Sequence, residues 1–197
     1  MIVWIGNVRL RIFLNAPQQK NINNKLKKMK KLLTTIALIT ALTLTGQTRL
    51  TINQDARLAF YGDDKGNKAF TPNLTFRASQ FIVKGEYFNP ILIAEYEIAD
   101  LKGGYYERYG FGIGLNILVN KYIELQGHFS AGFINRYDEN YTNPELVGNI
   151  SFKMTKNVSL ILEGQRSVRN DLKGQPIIYS GKIGFRINIF NKPVFKN

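Results

Sequence analysis

The 197-residue chain has no cysteine and a single histidine. The first absence removes disulfides, thiolate metal sites, cysteine nucleophiles and lipoprotein-type acylation together. No HExxH, CxxC or P-loop pattern occurs either, so neither a metal nor a cofactor is expected. No uninterrupted apolar run reaches the roughly 20 residues that a bilayer-spanning helix needs. After Gln47 no window carries apolar residues at helical spacing, and no heptads appear. The chain after Gln47 therefore offers no helical pattern to build on.

Acidic residues are also missing from residues 1–46, which hold eight Lys/Arg and no Asp or Glu. The formal charge of +13 would suggest nucleic acid as a partner, but the remainder carries 19 basic against 14 acidic residues, a net +5. Most of the excess belongs to the leader, and no nucleic acid is expected. Within that leader, Met29-Lys30-Lys31 precedes the uncharged run from Leu32 to Gly46 and then polar Gln47-Thr48-Arg49. A basic start, an apolar stretch of about 15 residues and small residues at its end form the pattern of a secretory signal peptide. Residues 29–46 are thus expected to be a signal peptide, 1–28 a non-native or disordered extension, and 47–197 one β-barrel domain.

What fills the remainder is alternation. In "YYERYGFGIGLNI", Tyr109, Phe111, Ile113, Leu115 and Ile117 alternate with Arg108, Gly110, Gly112, Gly114 and Asn116. In "GKIGFRINIF", Ile183, Phe185, Ile187 and Ile189 alternate with Lys182, Gly184, Arg186 and Asn188. Period two marks strands with one apolar and one polar face. Eight such strands are expected, at 49–62, 70–83, 89–100, 105–118, 121–136, 144–155, 157–168 and 175–190. An even number of strands, each long enough to cross a bilayer at a tilt, predicts an eight-stranded antiparallel up-and-down transmembrane β-barrel. Tight turns at Val119-Asn120 and Lys156-Asn157 against polar loops such as "GDDKGNKAF", "DLKGG", "NRYDENYTNPE" and "RNDLKGQ" predict short turns on one side and long loops on the other.

A soluble β-sandwich or calycin-like binding protein alternates too, with its apolar face inward. The contents of the polar face favour the barrel. It collects Arg57, Arg77, Glu95, Glu97, Arg108, Glu124, Lys153, Glu163, Lys182 and Arg186, together with Gly110, Gly112, Gly114 and Gly184. A solvated face gains nothing from glycine, whereas a crowded lumen needs the room. These ten charged residues are expected to form a lumenal ion-pair network, with Lys182 and Arg186 meeting carboxylates such as Glu163 and Glu124. The outward face has no basic residue on this reading, and Glu107 is its one charge. Tyr61, Tyr87, Tyr105, Tyr106, Tyr137, Tyr141 and Tyr179 fall near strand ends, where an aromatic girdle would sit.

Over residues 48–190 the chain resembles the small eight-stranded outer-membrane barrels of the OmpA/OmpX type. In the last strand, Lys182, Gly184, Ile187 and Ile189 match the polar-x-Gly-x-x-hydrophobic-x-hydrophobic pattern by which the barrel assembly machinery recognises such proteins. The seven residues that follow Phe190 depart from family members that end on the terminal aromatic. The resemblance implies a monomer in the outer membrane of a Gram-negative bacterium, porin-like in architecture but closed. Its partners would be outer-membrane lipid and lipopolysaccharide, the assembly machinery, and an extracellular ligand bound through the loops. The implied role is structural or surface-interacting rather than enzymatic. One alternative is a hydrolase, because His128 and Ser130 resemble the His-x-Ser pair of outer-membrane lipid A deacylases. Parity sends His128 inward, however, and Ala131 stands where that family carries Asn.

Overall fold

The computed structural model describes residues 2–5, 8–11, 48–63, 65–83, 85–172 and 177–189. Within residues 1–28 these include two short paired antiparallel strands, Ile2–Ile5 and Val8–Arg11. The signal peptide expected over 29–46 lies outside the described residues.

Eight strands form the barrel: β1 (Thr48–Asp55), β2 (Asn73–Phe81), β3 (Phe88–Leu101), β4 (Gly104–Leu118), β5 (Ile123–Arg136), β6 (Glu139–Lys153), β7 (Val158–Val168) and β8 (Ile177–Asn188). Each pairs antiparallel with its sequence neighbour, and β8 closes on β1 from Lys182↔Asp55 to Asn188↔Arg49. The barrel is all-β, up-and-down and eight-stranded, and closure leaves no unpaired sheet edge along most of its height.

The alternation sorts side chains as the sequence analysis anticipates. Thr51, Asn53, Arg77, Glu95, Glu97, Arg108, Glu124, Glu163, Lys182 and Arg186 are buried, while Phe111, Ile113, Phe129, Phe133, Leu162 and Phe185 are exposed. A protein that buries arginine and exposes phenylalanine over a continuous wall is inside-out with respect to water. Its natural solvent is lipid.

Several boundaries differ from expectation, each for a physical reason. The first strand stops at Asp55, not at residue 62. Asp55 caps a five-residue helix, α1 (Ala56–Phe60), through Leu58 N–H donating to its Oδ1 at 3.0 Å. Leu58, 2 % exposed, turns inward over the barrel mouth, and Phe70 N–H returns to Leu58 O at 2.8 Å. β6 begins five residues earlier than its expected start at 144. Its added residues pair with β5 from Gly132↔Asn143 to Arg136↔Glu139, and the inward Asn143 also donates to Val168 O at 2.7 Å. The expected loops "DLKGG" and "NRYDENYTNPE" thereby shrink to two-residue turns, Lys102-Gly103 and Tyr137-Asp138. The longer connections at this end are 56–72 and 169–176. This is the loop end of the barrel, and the opposite end, where the chain enters at Thr48, is the turn end.

Glycines occupy both faces, with opposite roles. Gly184 faces inward, and a Cβ there would run into Ile52 O and the Asn53 side chain. Gly127, Gly148, Gly164 and Gly181 face outward in register across four adjacent strands, and Gly148 and Gly164 have nothing within 4 Å of a built Cβ. Gly184→Ala is accordingly expected to lower stability by about 1–3 kcal/mol through overpacking. Gly164→Ala should shift it by no more than about 0.5 kcal/mol. Urea unfolding of the two variants in one detergent checks the contrast, and equal effects would contradict the assigned faces.

Candidate functional site

The lumen is where the chemistry-bearing side chains converge. Inward positions on all eight strands supply charged or amide groups, and a barrel of this size has room for little besides its own side chains. At mid-height, Glu95 from β3 is fully enclosed and serves four partners. Arg77 Nε donates to its Oε1 at 2.6 Å and Arg108 Nη1 to its Oε2 at 2.9 Å. Ser130 Oγ donates to Oε2 at 2.7 Å, and His128 Nε2 lies 3.0 Å from Oε1. Arg77 in turn clasps Glu163 with both terminal nitrogens, at 2.6 and 3.1 Å, and Asn53 Nδ2 donates to the same carboxylate at 3.1 Å.

Towards the loop end, Lys182 Nζ donates to Glu97 Oε2 at 2.9 Å and to Thr75 Oγ1 at 2.5 Å, and Tyr106 OH reaches Glu97 Oε1 at 2.5 Å. Arg108 Nη2 lies 3.0 Å from Glu145 Oε2, and Arg108 Nε donates to Asn143 Oδ1. Towards the turn end, Arg49 holds Glu124 at 2.8 and 3.3 Å, and Arg186 stands 3.6 Å from the same carboxylate.

Eight of the ten charged residues singled out in the sequence are thus buried in the lumen. Two are not. Arg57 lies exposed on α1, because the chain has left the sheet by then, and Lys153 is exposed at the last position of β6. The pairing also differs in part. Lys182 is the cross-strand neighbour of Glu163, yet its ammonium goes to Glu97, since Arg77 already holds Glu163. Arg49 and Glu145 belong to the network and were missed. Both had a signal: Arg49 shares parity with Asp55, and Glu145 with Asn149 and Ser151, but Glu145 was hidden by reading its stretch as loop.

Three outward details need correction too. Tyr106 is 2 % exposed and points inward, so it is not part of a girdle. Arg166 is exposed on the outer face two residues from the loop-end terminus of β7, so that face is not free of basic residues. Glu107, also near the loop end, does not stand alone: Tyr105 and Tyr109 hydroxyls donate to it at 2.6 and 2.8 Å.

His128 and Ser130 share the inward face, are 3 % and 0 % exposed, and both bind Glu95. A nucleophile must reach its substrate, and this serine is covered by Arg108 and enclosed by the barrel wall. Among the described residues no group of three or more His, Asp or Glu is placed to hold a metal ion.

At the loop end the lumen widens into a cavity of about 100 Å³ lined by Asp55, Leu58, Asn73, Tyr106, Arg169 and Lys182, among others. Over it, Asp171 binds Arg169 with both oxygens at 2.8 Å and Arg136 at 3.1 Å, while Arg169 stacks 4.2 Å from the Tyr106 ring centre. Burial pushes the Asp171 carboxyl up, but the hydrogen bond and charge of Arg169, and then Arg136, outweigh it and hold it below the usual carboxylate range. The clamp ties Arg169 and Asp171, just after β7, to the loop-end parts of β4 and β5.

No family model and no curated protein sequence matches this chain. Solved structures do. The outer-membrane protein Ail of Yersinia pestis, determined in a phospholipid bilayer nanodisc, aligns with a TM-score of 0.50 at 13 % identity over 73 % of this chain and 99 % of that one. Ail in complex with the heparin analogue sucrose octasulfate aligns at 0.46 and 11 % identity, covering 72 % and 96 %. Neisserial surface protein A aligns at 0.44 and 11 % identity, covering 73 % and 95 %. At these identities the likeness is one of fold.

Proposed function

We propose that this chain, whose fold is that of the small eight-stranded outer-membrane barrels, is a non-enzymatic surface protein of a Gram-negative outer membrane that works through its loop end. The observation that carries this reading is the filled lumen. With Arg77, Arg108, Glu95, Glu97, Glu163 and Lys182 engaged across its middle, the lumen among the described residues is filled and its Ser130 is enclosed, so interaction falls to the exposed ends. The loop end faces outward from the cell, because the two longest connections, 56–72 and 169–176, lie there, and the longer loops of such barrels are extracellular. Its exposed groups include Arg57, Phe60, Tyr61 and Phe70, a mixture of cation and aromatic surface suited to an extracellular partner.

The outer wall takes outer-membrane lipid and lipopolysaccharide, and the barrel acts as a monomer. Lys182, Gly184, Ile187 and Ile189 serve the assembly machinery before closure, after the signal peptide over 29–46 has directed export.

Because the chain lacks cysteine, Tyr61→Cys creates a unique label site. A membrane-impermeant maleimide is expected to label it on intact cells, and labelling only after lysis would reverse the orientation and overturn the reading. Ser130→Ala should leave lipid A of the host membrane unchanged relative to wild type; a loss of deacylated lipid A in the variant would install the hydrolase reading instead.

A further inference from the structure

We infer that the turn-end half of the lumen binds one small monovalent anion, of the chloride or bromide class, beside Arg186. Two separate observations lead to it. The first is charge. Arg186 is 2 % exposed, and its hydrogen-bonded neighbours are all neutral: Gln126 Oε1 at 2.8 Å, Asn149 Oδ1 at 3.1 Å, Ser151 Oγ at 3.3 Å and Thr51 Oγ1 at 3.5 Å. The nearest carboxylate, Glu124, stands at 3.6 Å, and both of its oxygens already accept from Arg49. Two buried guanidiniums therefore share one carboxylate. The next carboxylate up the lumen, Glu163, is occupied by both terminal nitrogens of Arg77 and by Asn53. A desolvated cation hydrogen-bonded only to neutral acceptors, with a share in one distant carboxylate, is costly, and a further counter-charge at the same level relieves it.

The second observation is the sign of what is left over. Gln126 and Asn149 are cross-strand partners on β5 and β6, and both turn their oxygens to the same Arg186 nitrogen. Their amide nitrogens, Gln126 Nε2 and Asn149 Nδ2, are buried without an acceptor, and so is Arg49 Nε. Among the described residues, the unpartnered atoms at this level are donors. Towards the loop end the sign is mixed, with Asn73 Oδ1 and Gln165 Oε1 as acceptors and Arg136 Nε as a donor. Water would satisfy the turn-end donors but would bring two hydrogens of its own and no charge. A halide only accepts, and it supplies the missing negative charge. The site is built from the fold, because register sets Gln126 opposite Asn149, and inward parity sets Arg186 to meet them.

The test uses the protein purified from membranes in detergent, with sodium gluconate exchanged for sodium bromide at constant ionic strength and pH. The heat-induced change in gel mobility is expected to shift up by about 2–4 °C in bromide. Bromide-soaked crystals should show an anomalous peak within contact distance of Arg186, Gln126 and Asn149. Asn149→Asp places a carboxylate on the chain itself at nearly the same volume, so this variant should no longer respond to bromide. An unchanged wild-type midpoint, a bromide response that persists undiminished in Asn149→Asp, or a water without anomalous signal at this position would each overturn the proposal. The crystallographic arm uses wild-type protein, so it stands even if the variant fails to fold.

Discussion

Glu95→Ala is expected to destabilise the barrel by about 3–5 kcal/mol. The magnitude follows from what the side chain leaves behind. Arg77 Nε and Arg108 Nη1 each lose an ionic acceptor at 2.6 and 2.9 Å, and the Ser130 hydroxyl and His128 ring lose their shared partner. Arg77 keeps Glu163 and Arg108 keeps Glu145, so neither cation is stripped completely. That residual pairing is why the expected loss stops short of two uncompensated buried charges. Glu124→Ala should be comparably costly: it removes the one carboxylate that Arg49 and Arg186 share, and although Arg49 is about a tenth exposed and stacks on Phe81 at 4.3 Å, Arg186 is buried and keeps only neutral acceptors. Glu95→Gln separates charge from shape: it keeps the oxygen for one arginine but points an NH₂ group at the other, and should fall between wild type and alanine. Urea unfolding in detergent, followed by circular dichroism, measures all three. A Glu95→Ala loss below about 1 kcal/mol would mean that water fills the lumen and screens these pairs, and with it the closed-lumen reading would fail.

How much of this could be read from residues depends on which contacts are local. Strand number, face assignment and closure were legible because period-two alternation is imposed residue by residue: Ile113 must face away from Gly112 wherever the strand lies. Register could not be read, since it depends on partners such as Lys182↔Asp55, more than a hundred residues apart in sequence. The end of β1 was legible in principle. Asp55 followed by Ala56-Arg57-Leu58-Ala59 is an N-cap before good helix formers, and the alternation simply obscured it. Asn143 shows the opposite case. Its neighbourhood of Asn, Thr and Pro reads as a loop, and the ladder to β5 together with the distant Arg108 and Val168 that its side chain bonds keeps the strand extended. The same holds for ion pairing: parity places Lys182 and Glu97 in one lumen, but three-dimensional competition with Arg77 decides that they meet.

Ile113→Arg addresses the other face, and its sign distinguishes lipid from water. Ile113 is 64 % exposed near the middle of β4, flanked across the ladders by Leu92 and Phe129. On a soluble protein an exposed isoleucine replaced by arginine changes stability by no more than about 0.5 kcal/mol. On a lipid-facing wall the guanidinium must leave water at the depth of the hydrocarbon core, and the change should cost about 2–4 kcal/mol. A matched control is Tyr179→Arg, near the loop end and 73 % exposed on the same outer face, where snorkelling to the interface should reduce the penalty to about 0–1 kcal/mol. Reversible folding into short-chain phospholipid vesicles under urea measures both differences. Equal, small effects at the two positions would place Ile113 in water and replace the membrane barrel with a soluble one. A depth-dependent penalty would tie the alternation that first identified these strands to the solvent in which it makes physical sense, because the one polarity that cannot be satisfied in hydrocarbon is an unpaired charge facing out.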